Sequence, residues 1–187
     1  MKALIAVADL LPGRRARRLY GEARAADLMR LRARFTAQPS PREAPRSVVE
    51  AAARLGALKR ALAEAYADVR RCASCAEGCA APSGAYAGGR CCGTETLTVF
   101  TQDEVRLLKL AGRRAPCEAA GYADNAGCAF RGPRGCVLEP EDRPVRCLVY
   151  ECEELAAELD ATGPKRARVL RADLVEAKRA LEARFAP

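Results

Sequence analysis

The sequence contains no histidine and no tryptophan, and only 5% of its 187 residues are aromatic. Half of the residues are apolar, but many of these are alanines, which favour helices and bury little surface. We therefore expect a core that is thin for the length of the chain, so that something besides apolar burial holds its centre together. Because histidine is absent, any bound metal must be held by thiolate, with carboxylate or water as minor ligands.

Lysine is also scarce, since 27 of the 32 basic residues are arginine. The formal net charge of +8 raises a polyanion such as nucleic acid as a partner. An arginine- and alanine-rich, lysine-poor composition is, however, what high genomic GC content produces without any selection for binding. We therefore interpret the basic residues as solvated surface, and we do not expect nucleic acid as a partner.

No apolar run approaches the roughly 20 residues of a membrane span, so we expect no membrane association. The apolar start, residues 1–11, is interrupted by Asp9, and no small-residue cleavage site of the secretory kind follows it. We therefore predict a cytoplasmic protein. In that reducing compartment, many cysteines indicate metal or redox chemistry rather than a disulfide framework. A disulfide-stapled exported domain is the alternative.

Hydrophobic periodicity predicts a mainly α protein, in which amphipathic helices flank a small, irregular, cysteine-rich metal-binding core with little β structure. The predicted organisation is an N-terminal helical extension (1–70), a cysteine-cluster domain (71–155) and a C-terminal helix that packs on the rest (156–187). The predicted helices cover residues 14–36, 47–70, 101–112, about 149–159 and 164–184.

Local signals refine these elements. Ser47 with Glu50, and Thr101 with Glu104, have the spacing of a capping box at a helix start. Residues 94–100 alternate with β-branched side chains and predict a short strand. The last helix has a narrow apolar seam, which fits the 47–70 helix or a second copy of the protein.

All ten cysteines lie between Cys72 and Cys152, and neither flank contains one. Cys72 and Cys75 form a Cys-x2-Cys knuckle, in which both sulfurs can reach one tetrahedral centre. The adjacent Cys91 and Cys92 do not easily reach the same mononuclear centre, because neighbouring side chains in an extended chain point to opposite sides. Soft sulfur ligands select zinc, copper(I) or iron–sulfur clusters. The spacing does not distinguish zinc from iron–sulfur, and it fits one metal site or two.

Arginines lie within a few residues of many of these cysteines, where they can donate to sulfur and lower the pKa of a thiol. The alternative is that they only sample an arginine-rich composition. The best candidate for a supporting donor is Arg143, because Pro144 rigidifies the turn that delivers Cys147.

The order of these motifs resembles the YkgJ-type cysteine-cluster family, which is described as a zinc- or iron-chelating domain. The resemblance covers about residues 72–155, and its cysteine pattern also occurs in bacterial flagellin lysine methylases. The matching positions are Cys72, Cys75, Cys91, Cys92, Thr101, Glu104, Cys128, Phe130, Gly135, Cys136, Arg143, Pro144, Cys147 and Cys152.

The resemblance implies eight metal ligands, which are the cysteines among those positions. Here 15 residues separate Cys75 from Cys91, more than is usual in the family, and Cys79 within them is a candidate extra ligand. Cys117 matches nothing in the pattern.

The predicted function is thus a protein that binds a zinc ion or an iron–sulfur cluster, with an unidentified protein partner as an option and no residue assigned to catalysis. The alternative is a metal-dependent redox or methyl-transfer enzyme related to the methylases. Against it, the sequence shows no Gly-rich loop in a βαβ setting.

Overall fold

A computed structural model of the chain describes residues 12–69, 96–116, 128–132, 135–151, 153–162 and 165–185. These residues are mainly helical, as the sequence predicts. None of the helices in these ranges combines the length and the apolar character needed to cross a membrane. The elements, in chain order, are α1 (Pro12–Ala37), α2 (Arg46–Ala65), α3 (Thr96–Val99), α4 (Gln102–Leu110), β1 (Arg131–Gly132), β2 (Gly135–Cys136), a 3-10 helix (Pro140–Asp142), α5 (Val145–Val149), α6 (Glu153–Thr162) and α7 (Lys165–Glu182).

Helix α4 lies between two hydrophobic clusters, which it contacts with two different faces. Its Val105 and Leu108 belong to the first cluster, and its Leu107 and Leu110 belong to the second. The first cluster comprises Leu28, Leu31, Val99, Phe100, Val105, Leu108, Ala129 and Phe130. The second comprises Ala52, Leu55, Leu62, Leu107, Leu110, Val145, Leu148, Ala167, Leu174 and Leu181. Because α4 contributes two buried residues to each cluster, this helix fixes their relative position.

The last helix, α7, packs on helix α2, which is one of the two arrangements that the sequence allows. Ala167, Leu174 and Leu181 of α7 are buried against α2, and Ala52 and Leu55 lie on the α2 side of the same cluster. Helices from all three predicted segments share this second cluster, and the proposed division into 1–70, 71–155 and 156–187 stays a prediction.

Helix α4 has the predicted Thr101 cap at its start and ends near Gly112, as its sequence predicts. The Thr101 hydroxyl accepts a hydrogen bond from the backbone N–H of Glu104, which caps the first turn. At the other end, Gly112 has a φ of 70°, and the N–H of Arg113 donates to the carbonyl of Leu108 at 3.0 Å. This is the Schellman arrangement, which favours glycine because its left-handed backbone strains residues that carry a Cβ.

Two local predictions are wrong. Helix α2 begins at Arg46, directly after Pro45, and no side chain caps it. Ser47 therefore lies inside the first turn, and Glu50 pairs with Arg46 at 2.8 Å instead of closing a capping box. A fixed proline φ immediately before the helix sets its start two residues earlier than a cap at Ser47 would.

The predicted strand over 94–100 is the second error, because Thr96–Val99 form the short helix α3. Thr96, Val99 and Phe100 are buried in or beside the first cluster. Packing on that cluster overrides the β preference of Thr and Val, since β propensity depends strongly on tertiary context. Residues 94 and 95 lie outside the described part of the chain.

We predict that Leu174→Ala lowers the free energy of unfolding by about 2–5 kcal/mol, because it leaves a cavity between α7 and α2. Val169→Ala is the matched control on the same helix. Val169 is 60% exposed, so its truncation should change the stability by less than about 0.5 kcal/mol. Urea titration followed by circular dichroism measures both, and equal effects would contradict the packing of α7 on α2.

Candidate functional site

Three of the eight predicted metal ligands lie in the described part of the chain. Cys128 and Cys136 are partly buried, and Cys147 is exposed. The remaining cysteines, whose assignment as ligands or as bystanders stays a prediction, lie outside the described residues: Cys72, Cys75, Cys79, Cys91, Cys92, Cys117 and Cys152.

Cys128 is placed by the residues that follow it. The backbone N–H of Ala129 donates to the hydroxyl of Thr96 at 2.9 Å, in a fully buried hydrogen bond. Phe130 is fully buried and contacts Phe100 edge-on, with the ring centroids 5.4 Å apart. The Cys-x-Phe motif therefore uses its aromatic residue as an anchor, which seats Cys128 against the first cluster.

Cys136 lies on the neighbouring strand. It pairs with Arg131 in the antiparallel ladder of β1 and β2, and the N–H of Val137 donates to the carbonyl of Phe130 at 2.9 Å. Cys136 packs against the first cluster, as Cys128 does. The structure thus brings two predicted ligands, eight positions apart in sequence, onto the same cluster.

The third predicted ligand, Cys147, ends a segment that we name the Cys147 turn, residues 138–147. The turn is braced internally, since Nε of Arg143 donates to the carbonyl of Leu138 and the N–H of Cys147 donates to the carbonyl of Pro144, both at 2.9 Å. Arg143 was predicted to support the metal site. Its side chain supports the turn that carries Cys147, and its predicted donation to sulfur stays a prediction.

The 3-10 helix at the start of the Cys147 turn is held from two directions. Arg113, just after α4, makes two hydrogen bonds to the carboxylate of Asp142, at 2.6 and 2.9 Å. These bonds raise the pKa of Arg113. Arg60 of α2 forms an ion pair with the largely buried carboxylate of Glu141. Paired arginine–carboxylate contacts of this kind fix orientation as well as position.

A buried lysine and a buried glutamate hold the middle of the Cys147 turn. Lys59 of α2 donates from Nζ to the carbonyl of Arg143 at 2.7 Å. Glu104 of α4 accepts a hydrogen bond at Oε1 from the N–H of Val145 at 3.1 Å. The capping-box carboxylate predicted at Glu104 thus reaches α5 instead of its own helix start. Helices α2 and α4 therefore fix the two peptide groups on either side of Pro144.

Lys59 and Glu104 also form an ion pair, in which both residues are only 2% exposed and Nζ lies 3.8 Å from Oε2. Burial lowers the pKa of Lys59, and the negative charges of Glu104, Asp142 and Cys147 oppose that shift. Burial likewise raises the pKa of Glu104, against the opposing effect of Lys59 and Lys178. Each charge is thus costly without the other.

A second lysine approaches the same carboxylate from α7. Lys178 lies 3.7 Å from Oε1 of Glu104 and 2.6 Å from Oε1 of Glu182. Within the described residues, Oε2 of Glu104 accepts no hydrogen bond, so its partner is the Lys59 charge. Helices α2, α4 and α7 therefore converge on a single carboxylate.

Tyr66, the residue that follows α2, is anchored to Glu151. The hydroxyl of Tyr66 donates to Glu151 at 3.4 Å, and Arg171 of α7 pairs with the same carboxylate at 2.6 Å. Tyr66 lies six residues before Cys72, and Glu151 directly precedes Cys152. The two described residues in contact therefore lie close in sequence to cysteines from the two ends of the cysteine segment.

Within the ranges that the structure describes, no three Cys, Asp or Glu side chains come together as a metal-binding group. No protein-family model matches the chain, and no curated protein or solved structure is significantly similar to it. The resemblance to the YkgJ-type family thus rests on the residues quoted from the sequence.

The sequence analysis missed Lys59 and Lys178 as site residues. Two signals point to Lys59. It occupies an apolar position of the α2 stripe, between Leu55 and Leu62, where a charged residue needs a buried partner. It is also one of only five lysines in an arginine-rich chain, and three of the five (Lys59, Lys109 and Lys178) make specific contacts to other elements.

We predict that Lys59→Met lowers the free energy of unfolding by about 3 kcal/mol, because it leaves Oε2 of Glu104 buried without a partner while Lys178 still lies near Oε1. The double variant K59M/E104Q removes both charges and keeps an acceptor for the Val145 N–H. It should be more stable than K59M by about 0.5–3 kcal/mol. Urea titration measures both variants, and a double variant that is no more stable than K59M would show that the two charges do not depend on each other.

Proposed function

We propose that this protein holds a zinc ion or an iron–sulfur cluster through cysteine thiolates, with its helices as the frame that presents them. The observation that carries the proposal is the confinement of all ten cysteines to residues 72–152 in a chain without histidine. Thiolates are the ligands that these centres take. A thiolate-held centre also supplies the cohesion that a thin apolar core lacks.

The contact between α4 and the Cys147 turn supports this proposal. Glu104 belongs to the Thr-x-x-Glu part of the family pattern, and Val145 lies inside its Arg-Pro-x-x-Cys part. The hydrogen bond between them joins two motifs 41 residues apart. In this contact the Glu of a non-cysteine motif holds the turn that carries Cys147.

The anchoring of Tyr66 to Glu151 supports a shared site for the two arms of the cysteine segment. The six residues from Tyr66 to Cys72 span at most roughly 20 Å when fully extended. Chain length alone therefore keeps Cys72 within that distance of Tyr66, whose hydroxyl contacts Glu151, the residue before Cys152. Thiols from both ends of the cysteine segment can therefore bind one metal without a long connecting loop.

A cytoplasmic location goes with this function, because thiolate ligands must stay reduced to bind metal. The partner that we propose is the metal ion or cluster itself, with no role in binding nucleic acid.

We predict that the full-length protein, purified without oxygen, carries about one equivalent or more of zinc or iron. Elemental analysis by mass spectrometry gives the content. The absorption spectrum tells the two metals apart. A thiolate-bound iron–sulfur cluster is brown and absorbs at about 400 nm, whereas zinc is colourless. A folded protein with well under one equivalent of both metals would overturn the proposal.

We predict that Cys147→Ser reduces the metal content or speeds metal loss to a chelator, because it removes a ligand that the frame presents. Cys117→Ser is the matched control, since Cys117 is outside the family pattern and should be dispensable. Elemental analysis before and after dialysis against a chelator measures both variants. An unchanged metal content in C147S would remove Cys147 from the ligand set.

We predict that thiol titration of the denatured protein finds all ten cysteines reduced after chelator treatment. Metal-bound thiolates react once the metal is removed, whereas disulfides do not react in the absence of a reductant. A count that rises only with reductant would favour the disulfide-stapled, exported alternative.

A further inference from the structure

Helix α5, which carries Cys147, lacks the features that stabilise a helix on its own. It has five residues, Val145–Val149, and its N-cap Pro144 provides no side-chain hydrogen bond. Helices this short do not persist without tertiary contacts, because the hydrogen bonds of one turn do not offset the conformational entropy lost in forming it. The position of Cys147 therefore depends on groups outside α5.

Glu104 provides the missing cap from another helix. Its Oε1 accepts the hydrogen bond of Val145 N–H, the first N–H of α5, at 3.1 Å. A side chain at the N-cap, where one is present, accepts from the second or third N–H of this first turn. Here the carboxylate comes from α4, where the Thr101 cap fixes the turn that carries Glu104.

Lys59 completes the arrangement on the other side of Pro144. It donates to the Arg143 carbonyl at 2.7 Å and pairs with Glu104 at 3.8 Å. One buried ion pair therefore holds both peptide groups that flank Pro144, within the four residues that precede Cys147.

We propose that Lys59 and Glu104 are positioning residues for the metal ligand Cys147, an inference that rests on the metal-binding function proposed above. The pair acts by fixing the backbone of the turn, so that the exposed thiol of Cys147 is held where the centre needs it. Replacing a buried ion pair with apolar residues is often neutral or stabilising. Stability and metal retention should therefore respond differently to its removal.

The test compares two double variants in the full-length, metal-loaded protein. K59M/E104Q keeps an acceptor for the Val145 N–H, whereas K59M/E104M removes it along with both charges. The readout is the rate at which bound metal passes to a chelator, with circular dichroism to report folding. We expect K59M/E104M to release metal about 10–100 times faster than the wild type, as for the loss of groups that orient metal ligands. K59M/E104Q should fall between them.

Two further variants keep the test decisive. Val145→Pro removes the same hydrogen bond from the donor side, and proline is tolerated at the first position of a helix. It should also speed metal release, and it carries the test if K59M/E104M does not fold. Lys109→Met is the control, because Lys109 lies on the same helix α4 but holds the carbonyls of Thr36 and Gln38. Its metal release should match the wild type.

The outcomes separate the inference from the function on which it rests. A wild-type protein that binds no metal overturns both. A metal-loaded wild type whose folded K59M/E104M and V145P variants release metal at the wild-type rate overturns the positioning role alone. Faster release from both variants with unchanged circular dichroism, and no change in K109M, supports it.

Discussion

The buried ion pair between Lys59 and Glu104 is the interaction on which the described part of this structure depends. It joins α2 to α4 and reaches both peptide groups around Pro144. Lys178 brings α7 to the same carboxylate. Because an unpaired buried charge is far more costly than a paired one, the three helices and the Cys147 turn must adopt their positions together.

Each of the two hydrophobic clusters positions a different part of the predicted ligand set. The first seats Cys128 and Cys136 by way of the buried Phe130. The second buries Val145 and Leu148 of α5 and leaves Cys147 exposed on that short helix. Since α4 contributes to both clusters, it links the two groups of cysteines mechanically. A thiolate-held metal would add a third connection, between elements that packing already brings together.

Sequence reasoning worked best where a local rule and the tertiary environment agreed. The Thr101 cap, the Gly112 helix end and the apolar seam of the last helix were all predictable, because capping and hydrophobic periodicity are local properties. The sequence left open whether that seam packs on α2 or on a second copy. It failed at Ser47, where the fixed φ of the neighbouring Pro45 decided the helix start. It also failed at Thr96–Val99, where burial against Ala129 and Phe130 outweighed a β preference.

The sequence by itself determined the mainly helical class, the cap and the end of α4, and the chemistry available to a metal, since ligand type follows from side chains alone. Only the tertiary structure decided how Glu104 is used. In a capping box this carboxylate would bind the start of its own helix. Here it caps α5 instead, because the nearby charge of Lys59 from α2 stabilises it in its buried position. Such a contact joins residues 41 and 45 positions apart, and no local pattern records it.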